Sequence, residues 1–127
     1  MKPVNIPEGS QQIMPYLVVP GAANFFEFMH KVFDAEQVYK AMRDETTIQH
    51  AELMIGNHKV MFCDSTDTYL PQPAGMFVYV DDCDAVYQKA LDAGATSVMP
   101  PADMDYGRSG GVKDPFNNIW WVTSVSE

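Results

Sequence analysis

The spacing of hydrophobic and polar residues in the first half of the chain predicts one helix and four short strands. An apolar run at 16–19 predicts a first strand. After Pro20-Gly21, large apolar side chains recur every three or four residues up to Phe33, which is the spacing of an amphipathic helix. Three more strands are predicted at 37–43, 48–55 and 59–64, with a Gly56-Asn57 turn between the last two. The predicted order is β-α-β-β-β.

The same order begins again after a connector at 65–74 that is rich in Ser, Thr, Asp and Pro. Residues 76–80 predict a strand, and Asp82 is placed to accept hydrogen bonds from the first turn of a following helix. That helix is predicted to end near Ala93, with Gly94 as its stop. The second half of the chain therefore repeats the first.

A period of about 60 residues relates the two halves. Val19 and Val80 lie 61 positions apart, and Ala35 and Ala95 lie 60 apart. The last strands, Val60-Met61-Phe62 and Ile119-Trp120-Trp121, match at an offset of 59. A period that drifts by single residues is typical of a duplicated module, although a plain α+β sandwich without duplication is the alternative.

The predicted fold class is α+β, in which duplicated βαβββ modules form an eight-stranded, cup-shaped mixed sheet with two helices packed outside. Residues 1–10 are expected to form a flexible N-terminal arm, because they are polar and contain two prolines. Residues 11–127 are expected to form a single domain, with modules at about 12–64 and 75–125.

Composition narrows the classes of partner. With 127 residues, 46% of them hydrophobic, the chain is long enough to bury a core. Its formal net charge of −9 argues against nucleic acid or an anionic membrane as the main partner. The N-terminus lacks the apolar segment of a signal peptide, and no apolar stretch is long enough to span a bilayer. A cytoplasmic protein with two reduced cysteines, Cys63 and Cys83, is expected.

Several short sequence motifs resemble those of a known protein family. The Val80-Asp81-Asp82 opening of the second helix and the Asp114-Pro115-Phe116-Asn117-Asn118 segment resemble the vicinal oxygen chelate superfamily, which holds glyoxalase I, bleomycin-resistance proteins and extradiol dioxygenases. The phrases at 50–56, 94–96, 99–103 and 106–108 are similar to its PhnB-like branch. The resemblance implies that each module contributes four strands to a cup whose concave surface holds the active site.

Metal-dependent members of this superfamily carry one ligand, usually His, Gln or Glu, on the first and last strand of each module. The resemblance places those positions on Met14, Phe62, Gly75 and Trp121. None of these four residues binds a hard or borderline divalent ion, and a one-residue slip in the assignment adds only Cys63 as a plausible ligand. No metal and no other cofactor is therefore expected.

Side chains alternate along a strand, so the same assignment predicts which residues line the cup. The expected ligand-binding residues on the inner face are aromatic: Tyr16, Phe62, Phe77, Tyr79 and Trp121. Val18, Asp64, Ile119 and Thr123 are also expected to face inward. The residues expected to face the helices are Leu17, Val19, Met61, Cys63, Val78, Val80, Trp120 and Val122. An aromatic inner face is typical of a small-molecule pocket, and a closed core is the alternative.

Acid–base chemistry is suggested by His50 and Glu52, which alternate on the third strand and therefore share a face. A carboxylate beside an imidazole orients its proton, although a purely structural hydrogen-bonded pair is equally consistent with the spacing. Tyr106 and Arg108 lie in what is predicted to be a long loop at 103–108. Tyr106 is a candidate catalytic acid, and Arg108 is either a ligand for a carboxylate or phosphate or part of a surface ion pair. The segment 114–118 is expected to be a structural hairpin turn.

The favoured function is a metal-independent small-molecule-binding, sequestering protein of the bleomycin-resistance type. Its expected ligand is aromatic, apolar or cationic, because a net charge of −9 concentrates cations near the protein. The alternative is a glyoxalase-type lyase, isomerase or dioxygenase, either with a divalent ion displaced to His50 and Glu52 or with a metal-free His50 and Tyr106 pair. A regulatory module that acts through dimerisation is a third reading, and a homodimer is expected under each of the three.

Overall fold

The computed structural model describes residues 1–126, which form two helices and eight strands. In chain order the elements are β1 (Tyr16–Val19), α1 (Ala22–Phe33), β2 (Glu36–Met42), β3 (Ile48–Ile55), β4 (His58–Asp64), β5 (Gly75–Tyr79), α2 (Cys83–Asp92), β6 (Thr96–Met104), β7 (Gly107–Lys113) and β8 (Ile119–Ser124). The predicted β-α-β-β-β order and its repetition are confirmed. Neither helix in the described part of the chain has the length and apolar character needed to cross a membrane.

The strands form two open four-stranded sheets with the same topology. One sheet has the order β1-β4-β3-β2 and the other has the order β5-β8-β7-β6. In each sheet the first pair is parallel and the other two pairs are antiparallel. Each βαβββ module thus builds one mixed sheet, which confirms the predicted fold class.

The chain divides into two compact units. The first unit comprises Met1–His30 and Asp34–Gln72, and the second comprises Lys31–Phe33 and the chain from Pro73 onward. The candidate site described below lies within the first unit.

The core of the first unit lies between α1 and the sheet. Phe25 and Met29 are fully buried on the apolar face of α1, as the three-to-four spacing predicted. The ring centroids of Phe25 and Phe62 lie 5.3 Å apart. Leu17 and Val19 of β1 are buried as well, which confirms the predicted facing of β1.

A buried carboxylate on β4 caps the N-terminus of helix α1. Gly21, at the N-cap of α1, has no side chain to accept a hydrogen bond. Instead Asp64 accepts one hydrogen bond from the backbone N–H of Ala22 at 2.8 Å and another from Ile48 at 2.6 Å. Asp64 therefore connects the end of β4 to the start of α1 and the start of β3.

The predicted facing of β4 is wrong by one residue. Phe62 and Asp64, expected in the cup, lie on the helix side of the sheet, and Cys63, expected on the helix side, faces the opposite way into a cavity. The prediction aligned Phe62 with Trp121 by matching the segments 60–62 and 119–121 at an offset of 59. In the structure β1 pairs Tyr16 with Met61 and β5 pairs Phe77 with Trp121, so the equivalent of Trp121 is Met61, at an offset of 60 rather than 59.

The second unit repeats the arrangement around α2. The Ser124 side chain at the end of β8 accepts a hydrogen bond from the N–H of Cys83 at 3.2 Å, as Asp64 does for α1. Asp82 accepts from the N–H of Ala85, which confirms the predicted helix cap. The helix ends before Gly94, whose φ of 106° confirms the predicted stop.

The long loop predicted at 103–108 is wrong. Strand β6 continues to Met104 and β7 begins at Gly107, so Asp105 and Tyr106 alone connect the two strands. The prediction treated Pro100-Pro101 as a loop signal, but β6 is the edge strand of its sheet and its register shifts between Met99 and Ala102. An edge strand accepts proline because one side of its backbone needs no sheet partner.

The segment 114–118 forms the structural turn between β7 and β8 that the sequence predicted. The buried Asp114 carboxylate accepts four hydrogen bonds, from the backbone N–H groups of Phe116 and Asn118, the Asn118 amide and the Trp120 indole, at 2.8–3.0 Å. One carboxylate thus holds the turn and anchors the largest buried side chain of the second unit.

We expect Asp114→Ala to lower the free energy of unfolding by about 3 kcal/mol or more, because several buried donors lose their acceptor. The matched control is Asp105→Ala in the exposed β6–β7 turn, for which a change below about 0.5 kcal/mol is expected. Urea denaturation measures both values. Equal stability of the two variants would contradict the anchoring role of Asp114.

Candidate functional site

The first unit contains a cavity of about 650 Å³ on the sheet face opposite α1. Its volume is within the range of small-molecule sites. The lining combines aromatic, small apolar and polar side chains: Tyr16, Val18, Tyr39, Ala41, Arg43, Gln49, His50, Cys63 and Tyr69. Of the residues predicted from sequence, Tyr16, Val18 and His50 line this cavity directly.

His50 and Glu52 form the pair that their spacing suggested. The distance from His50 Nε2 to Glu52 Oε2 is 2.8 Å. The other Glu52 oxygen, Oε1, lies 2.9 Å from Lys59 Nζ, which also donates to Ser10 Oγ at 3.1 Å. The Glu52 and Lys59 side chains are only 17% and 12% exposed. Both oxygens of Glu52 are therefore engaged in a largely buried network.

The protonation of Glu52 follows from these contacts. Hydrogen bonds from His50 and then from Lys59 lower the pKa of Glu52 below its ordinary value, against the opposing effect of burial. Glu52 is therefore ionised at neutral pH and can only accept hydrogen bonds. His50 must carry its proton on Nε2 to donate to Glu52, which leaves Nδ1 as an acceptor in the neutral ring.

Tyr16 continues this series of hydrogen bonds from His50 into the cavity. Its hydroxyl lies 3.3 Å from His50 Nδ1 and donates to it, and the two rings stack with centroids 5.5 Å apart. Tyr39 packs against the same imidazole at 5.9 Å. Lys59, Glu52, His50 and Tyr16 form one hydrogen-bonded series, called the polar chain below.

The Tyr16 hydroxyl keeps its proton. Burial and the neighbouring Cys63 thiol raise the pKa of Tyr16, while the charge of Arg43 opposes the shift. Tyr16 is thus a neutral O–H donor at the wall of the cavity. A ligand oxygen that accepts from Tyr16 would free His50 Nδ1 to accept a proton, so the arrangement can orient polar ligands and can carry acid–base chemistry.

Sequence analysis missed much of this site. Cys63 was assigned to the wrong face by the one-residue slip on β4. Tyr39 and Ala41 alternate along the predicted strand at 37–43, and that alternation was the available signal for their shared face. Arg43 continues the same alternation to the end of the predicted strand, whereas Tyr69 lies in the connector, where no periodic signal exists.

Phe62, predicted to bind ligand, does not line the cavity, because it is fully buried against Phe25 on the helix side. The other aromatic candidates lie in the second unit. Phe77 and Tyr79 are exposed and pack edge to face at 5.2 Å, and Tyr106 packs against Phe77 at 6.0 Å.

Trp121 also belongs to the second unit, where its indole lies against Gly111 of β7. A Cβ at Gly111 would lie 2.5 Å from a ring carbon of Trp121, so glycine is required for this packing. Arg108 is in a surface ion pair, with Nε 2.7 Å from Asp84 Oδ1 and Nη1 3.1 Å from Asp103 Oδ1. The ion-pair alternative for Arg108 is thus the one observed.

The residues at the ligand positions of the metal-dependent superfamily members do not suit a divalent metal ion. With the register corrected, the family's ligand positions fall on Met14, Met61, Gly75 and Trp121, which offer no imidazole, carboxylate or thiolate. Within residues 1–126 no group of three or more His, Cys, Asp and Glu side chains is placed to hold a metal. Both oxygens of Glu52 are already bonded to His50 and Lys59.

Comparison of sequences identifies relatives. The sequence pattern of the Glyoxalase/Bleomycin resistance protein/Dioxygenase superfamily matches residues 10–122. An uncharacterized protein of Mycobacterium bovis is 36% identical over 120 residues, which cover 85% of this chain and 79% of that protein. A protein of Mycobacterium tuberculosis is also 36% identical over 120 residues, covering 71% of its own length.

Solved structures share the fold. The PhnB protein from Bacillus cereus has a TM-score of 0.74 and 23% identity, covering 91% of this chain and all of that one. TioX from Micromonospora sp. ML1 has a TM-score of 0.72 and 22% identity, covering 92% and 98%. The fosfomycin resistance protein FosX from Listeria monocytogenes, solved with Mn(II) and sulfate, has a TM-score of 0.70 and 14% identity, covering 92% and 91%. At these identities the likeness is one of fold.

We expect the stabilising effect of Glu52 to depend on pH. Because the pKa of Glu52 is lowered by folding, its contribution is complete above the unfolded pKa and is lost as pH falls through the folded value. Glu52→Gln should therefore lower the free energy of unfolding by about 2 kcal/mol at neutral pH. This difference from the wild type should shrink as the pH falls below about 4.

Urea denaturation between pH 7 and pH 3 measures the difference, with Glu45→Gln at an exposed turn position as the control. The Glu45 variant should follow the wild type throughout. A deficit for Glu52→Gln that stays constant down to pH 3 would contradict the charged hydrogen bonds assigned to Glu52.

Proposed function

The chain belongs to the glyoxalase/bleomycin resistance protein/dioxygenase superfamily, and on this premise we propose that it binds a small molecule in the cavity of its first unit. Members of the superfamily bind small molecules. The observation that carries the proposal is the cavity itself, about 650 Å³ in volume, where tyrosine rings converge with a small number of oriented polar groups. The proposed role is sequestration of the bound compound.

The polar chain supports binding because it is already ordered. Lys59 and Glu52 are held by their ion pair, and Glu52 holds His50 by a 2.8 Å hydrogen bond. Less side-chain freedom is lost when a ligand binds to groups that are fixed in advance. Tyr16 then presents its hydroxyl to the cavity from a ring that stacks on His50.

Binding is proposed to be independent of metal. The support is the chemistry of the side chains, since the family's four ligand positions hold thioether, hydrogen and indole groups. The remaining imidazole and carboxylate near the cavity, His50 and Glu52, are satisfied by each other and by Lys59.

We expect Ala41→Trp to abolish binding of small aromatic compounds, because the indole would fill the cavity that Ala41 lines. The matched control is Ala23→Trp at an exposed position of α1, which should bind like the wild type. A fragment library is screened by ¹H–¹⁵N NMR with EDTA present, and chemical-shift changes are mapped to residues. Hits that bind both variants equally, or that shift only residues away from the cavity, would contradict the proposal.

A second function, acid–base catalysis of isomerisation, is favoured by the geometry of Tyr16, His50 and Glu52. A ketone in the cavity would accept a hydrogen bond from Tyr16, and His50 Nδ1 would take a proton from the adjacent carbon. The C–H electron pair then forms the enolate double bond, Tyr16 stabilises the oxygen, and Glu52 stabilises the imidazolium. His50 returns the proton to carbon, so no oxidant or reductant is needed. Tyr16 takes the role that the sequence suggested for Tyr106.

We expect wild-type protein in D₂O to exchange α-hydrogens of a bound ketone for deuterium, and His50→Gln and Tyr16→Phe to lose this activity by at least about tenfold. Proton NMR of a panel of aryl ketones measures the exchange. Circular dichroism and thermal unfolding confirm that the variants are folded. Exchange rates that are equal for wild type and His50→Gln would exclude catalysis by this pair and leave the binding function alone.

A homodimer and a cytoplasmic location stay predictions. Strands β2 and β6 each form one edge of their sheets, and an edge strand offers backbone groups to a second copy of the chain. The dimer is therefore kept as part of the proposal.

A further inference from the structure

The charge at the cavity differs in sign from the charge of the whole chain. The formal net charge is −9, which led to the expectation of a cationic ligand. Yet the described lining residues include no Asp or Glu, and the one among them with a permanent charge is Arg43. Charges in contact with a ligand outweigh distant, screened ones, so the local cation decides the preference.

Arg43 is fixed at its backbone and free at its guanidinium. It follows the last residue of β2, and its N–H donates to the carbonyl of Thr47 at 2.9 Å across the β2–β3 turn. None of the ion pairs in the described part of the chain involves Arg43, whereas Lys59 and Arg108 are both paired.

The neighbouring carboxylate, Asp44, forms no ion pair with Arg43 among the described residues. Asp44 Oδ1 accepts hydrogen bonds from the backbone N–H groups of Thr46 and Thr47 at 2.9 and 2.8 Å, so it is used by the turn. Arg43 lines the cavity together with Tyr16. Burial and the Cys63 thiol raise the pKa of Tyr16, and the positive charge of Arg43 opposes that shift.

The walls of the cavity suit a planar ligand that is rich in hydrogen-bond acceptors. The three tyrosine rings at the cavity, Tyr16, Tyr39 and Tyr69, are 47%, 51% and 65% exposed, so each keeps aromatic surface that a planar ligand can contact. Among the described lining residues Arg43 can only donate hydrogen bonds, and no carboxylate is present to accept them.

We propose that the ligand of this cavity is a planar aromatic acid, with its carboxylate paired to Arg43 and its ring against the tyrosines. This inference rests on the proposed function, since it names the class of compound that the same cavity binds. A guanidinium pairs with a carboxylate through two parallel hydrogen bonds, which gives direction as well as affinity.

Three probes with the same ring system but different charge test which ligand charge the cavity prefers: 2-naphthoate, 2-naphthylmethanol and 2-naphthylmethylamine. Isothermal titration gives the affinities, and ¹H–¹⁵N NMR maps each probe to residues. We expect 2-naphthoate to bind at least tenfold more tightly than the alcohol, and the amine to bind most weakly. Arg43→Gln should weaken 2-naphthoate about tenfold and leave the alcohol unchanged.

The matched control is Lys40→Gln, which removes one positive charge from an exposed position of β2 and should leave the affinity for 2-naphthoate unchanged. Equal weakening by Arg43→Gln and Lys40→Gln would overturn the pairing with Arg43. An amine that binds in the cavity as tightly as 2-naphthoate would overturn the ligand class and leave the proposed function standing. If none of the probes shifts cavity residues, the ligand class is overturned, and the fragment screen on Ala41→Trp then decides the proposed function separately.

Discussion

The carboxylate of Asp64 fixes the arrangement on which the first unit depends. It is buried, and it accepts the first N–H of α1 and the first N–H of β3. A buried N–H without an acceptor costs about 1–3 kcal/mol, so β4 cannot turn this side chain away from the helix. Because side chains alternate, Phe62 must share the helix side with Asp64, and Cys63 must face the cavity. In the second unit Ser124 has the equivalent contact at the start of α2.

The phase of β4 in turn determines which side chains meet on the other face. β4 is an inner strand that pairs with both β1 and β3, so Tyr16 and His50 are brought to the face that carries Cys63. There the polar chain from Lys59 to Tyr16 is assembled from three strands, with a charged pair at its buried end and a neutral hydroxyl at the cavity. Side chains along β4 alternate between the two faces of the sheet. The register that buries Phe62 against α1 therefore also places the polar groups of the site on the face that lines the cavity.

Local patterns in the sequence were sufficient for the elements, the repeat and the His50–Glu52 pair. Each of these depends on spacing within one strand or helix, or on two copies of the same spacing. The facing of β4 depends on a contact 42 residues away, between Asp64 and Ala22. The match of 60–62 with 119–121 at an offset of 59 gave the wrong register. Tyr69 reaches the cavity from the connector, where periodicity carries no information. Pro100 and Pro101 were interpreted as a loop signal, but they are compatible with a strand at the edge of a sheet. The edge position of β6 depends on the arrangement of the whole sheet and not on its local sequence.

The tautomer of His50 is the most direct test of the polar chain, because of the two neutral forms only the one protonated on Nε2 donates to Glu52 and accepts from Tyr16. Long-range ¹H–¹⁵N NMR of protein labelled in its histidine rings distinguishes the two nitrogens, and His50→Gln assigns the signals. With Glu52 ionised, the neutral imidazole should carry its proton on Nε2 and show Nδ1 as an unprotonated acceptor. A proton fixed on Nδ1, or a ring that exchanges freely between both forms, would contradict the site as described.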